Sequence, residues 1–104
     1  LVLRDDYLVW IDLEMTGLDS QRDVILEIAT IITDNNLSII AYGPHLVIHQ
    51  PEEKLQAMDA WCTKTHTTSG LVNAVRESTV TIQQAEHQTL AFIKLFCKKN
   101  SARL

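Results

Sequence analysis

The sequence predicts an α/β fold in which a three-stranded antiparallel sheet is followed by helices. Three observations predict it. Up to about residue 50 the chain consists of apolar runs rich in β-branched and aromatic residues, separated by turn formers. At Pro51-Glu52-Glu53 the character changes to that of a helix start, with a fixed φ and acidic residues at the positive end of the dipole. Finally, Thr81-Ile-Gln-Gln84 has the capping-box pattern ahead of an apolar stripe at helical spacing.

Taken in order, Tyr7 to Glu14 (YLVWIDLE) is short, aromatic and β-branched, and Thr16-Gly17 stops it, so it reads as the first strand. Val24 to Thr33 (VILEIATIIT) is the second. Asp34-Asn35-Asn36 then predicts a tight hairpin into a third strand from Leu37, with Asn carrying the positive φ that such a turn requires. The third strand is expected to run past Gly43-Pro44, a bulge or bend, toward His49. Glu52 to Val75 predicts two or three short helices, broken near Thr67-Thr-Ser-Gly70. Ile82, Ala85, Phe92, Ile93, Phe96 and Cys97 predict one amphipathic helix reaching about Lys99. A helix after such a sheet normally leads into a strand laid parallel beside the first, and none is expected before Leu104.

Composition sets limits on function. With 104 residues, 46% hydrophobic and 21% charged, the chain reads as one globular domain with no repeat or linker. No apolar run reaches the roughly 18 to 20 residues of a membrane span, and LVLRDDY lacks the features of a signal peptide. The expected compartment is therefore the cytoplasm, or the mitochondrion in a eukaryote, with no membrane partner. Cys62 and Cys97 belong to no metal-binding spacing and are expected to be buried free thiols. The net charge of −4 argues against a broad basic surface for nucleic acid. It is unevenly placed: residues 1–60 carry eleven acidic and three basic side chains, residues 61–104 two acidic and six basic. Divalent cations would collect in the first part, and phosphates could meet the second.

Asp12 and Glu14 are the sharpest chemical feature. Alternation puts positions i and i+2 of a strand on one face, so two carboxylates point one way from the end of an apolar segment. Burying anions there is costly without compensation, and a hard divalent cation, Mg²⁺ or Mn²⁺, is the usual partner of carboxylate oxygens. By themselves the neighbouring residues read plainly. Leu18 would be a turn leucine packing on the core, Trp61 an amphipathic core residue and His66 a helix-end residue beside the dipole, while His45, His49 and His87 would be structural or exposed. Glu27, in an apolar strand, could face solvent or the site.

Trp10-Ile-Asp-Leu-Glu-Met-Thr-Gly-Leu-Asp19 resembles the first exonuclease motif of the DEDD superfamily, in the spelling of its oligoribonuclease family. Ile25-Leu-Glu-Ile-Ala29, Ala41-Tyr-Gly-Pro44, His49-Gln-Pro51, Met58-Asp-x-Trp61 and His66-x-x-Ser-Gly-Leu71 are similar in order and spacing, covering Tyr7 to about Cys97. The resemblance implies the N-terminal portion of a single RNase H-like exonuclease domain. The implied activity is 3′-to-5′ hydrolysis of short oligoribonucleotides, especially dinucleotides, to 5′-mononucleotides. Asp12 and Glu14 would be catalytic ligands of a two-ion Mg²⁺ or Mn²⁺ site. Leu18 would wedge between two bases, Trp61 stack on a base, and His66 line the substrate site. The full-length form would be a homodimer. The family's two further acids, its general-base histidine and its phosphate-capping residues lie beyond the resembling segment, and Asp59, Glu77 and Glu86 do not occupy their motifs.

Three other readings compete. A proofreading-type exonuclease acting on longer DNA would share the metal motif. A catalytically incomplete module would only fold or dimerise. Asp12-Leu-Glu-Met-Thr16 also imitates the Asp-x-Asp-x-Thr signature of haloacid-dehalogenase-like phosphatases, although Glu replaces the second Asp and those enzymes have a parallel sheet.

Overall fold

A computed structural model describes residues 3–101. Three strands, β1 (Leu8–Met15), β2 (Ile25–Thr33) and β3 (Ile39–Val47), form a sheet of order β1-β2-β3, antiparallel throughout. This topology rules out the parallel phosphatase sheet. Four helices follow: α1 (Glu52–Gln56), α2 (Ala60–Thr68), α3 (Leu71–Glu77) and α4 (Ile82–Lys94). Among the described residues no helix is long and apolar enough to cross a membrane.

Register places the functional side chains. Asp12 pairs with Ala29 and Glu14 with Glu27, so the two acids of β1 share one sheet face with Glu27. The other face carries Val9 and Ile32, which are buried with Cys97 against Phe92, Ile93 and Phe96. A second core joins Leu26 to Leu55, Met58, Cys62, Leu71, Val72 and Val75, and so fixes α1, α2 and α3 at the Glu14 end of the sheet. Both cysteines are buried and free, as expected.

Gly43-Pro44 is a register irregularity inside a continuous β3: Ile31 faces Tyr42, but Ala29 faces His45. A Cβ at Gly43 would lie 2.5 Å from the Phe92 ring and 2.8 Å from the Thr30 carbonyl, so the close approach of α4 to the sheet requires glycine there. Gly70 needs its glycine for a different reason, since it starts α3 at φ 85°.

Two local expectations are corrected. In the β2–β3 hairpin the positive φ falls on Leu37 (65°), not on an asparagine. Asp34 organises the turn instead, its carboxylate accepting from the Asn36 and Ser38 amides at 2.8 and 3.0 Å. The last helix has the predicted capping box at Thr81 and Gln84 but ends at Lys94, not near Lys99. Beyond it the backbone pairs with the segment before β1: the Arg4 amide donates to the Phe96 carbonyl and the Lys98 amide to the Arg4 carbonyl, at 2.9 and 2.8 Å. Arg4 and Cys97 thus make a parallel bridge. The apolar spacing of Phe96 and Cys97 is helical, but burying Cys97 beside Val9 and Ile32 through that bridge prevails. The chain therefore begins a parallel return just ahead of β1, whose own length stays at the sheet edge.

Candidate active site

The end of β1 opens into a cleft of about 800 Å³, lined by Glu14, Leu18, Trp61 and His66 among others. Four of the five residues singled out from the sequence converge on it. Asp12, two residues back on the same face of β1, lies outside the lining.

One loop, Thr16 to Val24, builds the first wall, and Asp23 is its hub. The Asp23 carboxylate accepts from the Thr16 hydroxyl and from the Asp19 amide, both at 2.9 Å. Thr16 closes the base: its amide donates to the Val24 carbonyl, and its hydroxyl oxygen accepts from the Val24 amide. The Asp19 carbonyl accepts from the Arg22 and Asp23 amides, and its carboxylate from the Gln21 amide. The Asp19 amide, ahead of the Thr16 hydroxyl, holds the Asp23 carboxyl below the usual carboxylate range. Leu18 projects from this braced loop with its side chain fully exposed, at 103% relative accessibility. It does not pack on the core.

The second wall is α2. Asp59 caps it, its carboxylate accepting from the Cys62 amide at 2.7 Å, and this bond lowers the Asp59 pKa. Cys62 then faces inward, where burial pushes its thiol pKa up, while Trp61 faces outward at 71% accessibility. Trp61 is no core residue. One turn further on, His66 is 4% accessible and its Nε2 donates to the Met15 carbonyl at 2.9 Å. It lies in the last turn of α2, at the helix end as read from the sequence, and is buried there. Its bond ties α2 to the last residue of β1, so the wall bearing Trp61 is set against the strand bearing Glu14.

The charged groups divide into committed and free. Asp19, Asp23 and Asp59 each accept backbone amides. Among the described residues neither Asp12 nor Glu14 has a hydrogen-bonding or ionic side-chain partner. Contrary to the expectation of buried anions, Asp12 is exposed and Glu14 half-buried, and the pair is set apart by lacking partners, not by desolvation. Two hard oxygen donors on one strand face suit Mg²⁺ or Mn²⁺. They are a partial set, because among the described residues no group of three or more His, Cys, Asp or Glu side chains could hold a metal. Glu27 is spoken for: His45 Nε2 meets its carboxylate at 2.5 Å. From the sequence Glu27 is undecided and His45 structural or exposed; their pairing depends on the bulge that brings His45 opposite Ala29.

A model of an exonuclease family, RNase T, matches residues 9–104. The chain belongs to that exonuclease family. The membership agrees with its fold, three antiparallel strands followed by helices, as in the N-terminal part of an RNase H-like exonuclease. Curated relatives narrow the likeness. The oligoribonuclease of Pseudomonas aeruginosa is 58% identical over 95 residues, which are 91% of this chain and 53% of that protein. That of Vibrio cholerae is 59% identical over 90 residues, 86% of this chain and 50% of the relative. That of Haemophilus ducreyi is 52% identical over 100 residues, 96% and 55% respectively. The chain thus spans about half the length of these relatives.

Proposed function

We propose that the protein carrying this chain is a metal-dependent 3′-to-5′ exoribonuclease that hydrolyses short RNAs, dinucleotides above all, to 5′-mononucleotides. One observation carries the reading: two exposed apolar side chains, Leu18 and Trp61, stand on separate braced elements of one cleft whose floor holds the unpartnered carboxylate of Glu14. A fully exposed leucine and a largely exposed tryptophan cost solvation without stabilising the fold, and flat bases are what they would cover. Stacking accepts any base, which suits an enzyme that must clear every dinucleotide. A cleft of about 800 Å³ is of small-ligand size.

Asp12 and Glu14 would hold divalent ions, which in such a site activate water and stabilise the departing 3′ oxygen. The chain's own residues do the rest. Leu18 separates the bases and Trp61 stacks on one, so that the intervening phosphodiester is oriented toward the end of β1. His66 ties the Trp61 wall to the end of β1 and borders the cleft. Further ligands and a general base would come from outside the described residues, in a homodimer acting in the cytoplasm or mitochondrion.

The test is a comparison of substrates. With Mg²⁺, a diribonucleotide should be turned over far faster than a long single strand of DNA, with 5′-mononucleotides as product. Faster degradation of the long strand would favour the proofreading type, and no metal-dependent turnover of either would favour a non-catalytic module.

A further inference from the structure

The cleft presents a substrate phosphate with an electrostatic problem. Four carboxylates line it, those of Glu14, Asp19, Asp23 and Asp59, against one guanidinium, Arg22. Divalent ions at Asp12 and Glu14 would offset only part of that charge, and the other three acids are structural fixtures of the loop and of the α2 cap. Arg22 is the cation placed to answer them.

Its backbone is held from both sides. The Arg22 amide donates to the Asp19 carbonyl at 3.1 Å, and Lys54 Nζ donates to the Arg22 carbonyl at 3.1 Å. The side chain, by contrast, is 68% accessible, and its pairing with Asp23 is 3.9 Å long, outside hydrogen-bond distance. Asp23 is already occupied by the Thr16 hydroxyl and the Asp19 amide. By comparison Arg4 and Arg76 are both engaged, each donating two nitrogens to one carboxylate, Asp6 and Glu52 respectively. Arg22 thus keeps its planar donor fork free, four residues after the Leu18 wedge and on the same rigid loop. Such a fork matches phosphate oxygens.

We propose that Arg22 is a substrate-binding residue whose guanidinium takes a phosphate of the nucleotide seated between Leu18 and Trp61. The assignment rests on the short-RNA reading above. The phosphate is either the internal diester or a 5′-terminal group, and the two are separable by ligand choice.

The experiment is a binding titration of the protein carrying this chain, with Ca²⁺ replacing Mg²⁺ to slow turnover, over a series of salt concentrations. The ligands are a dinucleotide with a 5′ phosphate and the same dinucleotide without it. At low salt Arg22→Gln should weaken binding about ten- to a hundredfold, the scale of one charge-assisted contact. It should also make the plot of log affinity against log salt shallower by about 0.7, one phosphate's share on a single strand. Arg22→Lys should keep most of the slope. A loss confined to the 5′-phosphorylated ligand assigns the terminal phosphate, and an equal loss on both assigns the diester. An unchanged salt slope in Arg22→Gln overturns the proposal, even if affinity falls, because a structural role would leave the slope alone. If the wild type binds neither ligand, the short-RNA reading fails and Arg22 with it. If wild-type binding depends on Trp61 but not on Arg22, this inference fails alone.

Discussion

His66→Ala should be costly in a way that the exposed residues around it are not. The imidazole is 4% accessible, and its Nε2 bond to the Met15 carbonyl spans 51 positions of sequence to join α2 to the end of β1. Removing it orphans a carbonyl at a strand end, worth about 1 to 3 kcal/mol. It also leaves a small void beside the cleft, with a further cost of about 1 kcal/mol after relaxation. A total of about 2 to 4 kcal/mol corresponds to a fall in Tm of roughly 8 to 30 °C for a domain of this size. Differential scanning calorimetry on the wild type, His66→Ala and His66→Gln reads it directly. Glutamine keeps an N–H donor on a side chain of similar reach and should recover about half of the loss. Dinucleotide affinity should fall alongside, because the Trp61 wall loses its tie to the Glu14 strand. A Tm within about 3 °C of wild type for His66→Ala would refute the reasoning and leave His66 a cleft-lining residue without a structural task.

Two further predictions share the same cleft. Leu18→Ala and Trp61→Ala should leave Tm almost unchanged, since both side chains are exposed, while weakening dinucleotide binding by about 1 to 3 kcal/mol each; calorimetry and fluorescence titration separate the two effects, and undiminished affinity for Trp61→Ala would remove it from the substrate site. Asp23 has a pKa held below that of a free carboxylate, so its stabilisation is present above the unfolded-state pKa of about 3.9 and is lost as pH falls through the lower folded value. Asp23→Asn should therefore be less stable than wild type at neutral pH, with the gap narrowing below about pH 4. Acid-unfolding curves that stay parallel through that range would contradict this role.

Local rules made much of this legible. The alternation of β1, the capping box at Thr81 and the break at Gly70 follow from side chains acting within a few residues of themselves, whereas the outward Leu18 runs against its local reading as a core-packed turn leucine and is implied by the family resemblance alone. What escaped was set at longer range or by competition. Leu37 takes the positive φ because Asp34 captures the amides on either side of it, a choice among several polar turn residues. The end of α4 escaped because an apolar helical stripe also serves a chain that leaves the helix to pair with Arg4. The Glu27–His45 pair awaited the bulge at Gly43-Pro44, and Arg22 becomes distinctive only when every other arginine within residues 3–101 is seen to be engaged. Asp23 carries no signal in its own neighbourhood. Its importance lies in closing a loop whose ends are eight residues apart.

The central claim is that Asp12 and Glu14 hold the metal on which hydrolysis depends. Its most direct test is diribonucleotide turnover at saturating Mg²⁺ by the wild-type protein carrying this chain, by Asp12→Asn and by Glu14→Gln, with Tm measured in EDTA as the control for folding. Either substitution should lower turnover by at least about 10²-fold, while Tm without metal holds or rises, because a charge that repels its neighbour is gone. Wild-type turnover in either variant would contradict the claim.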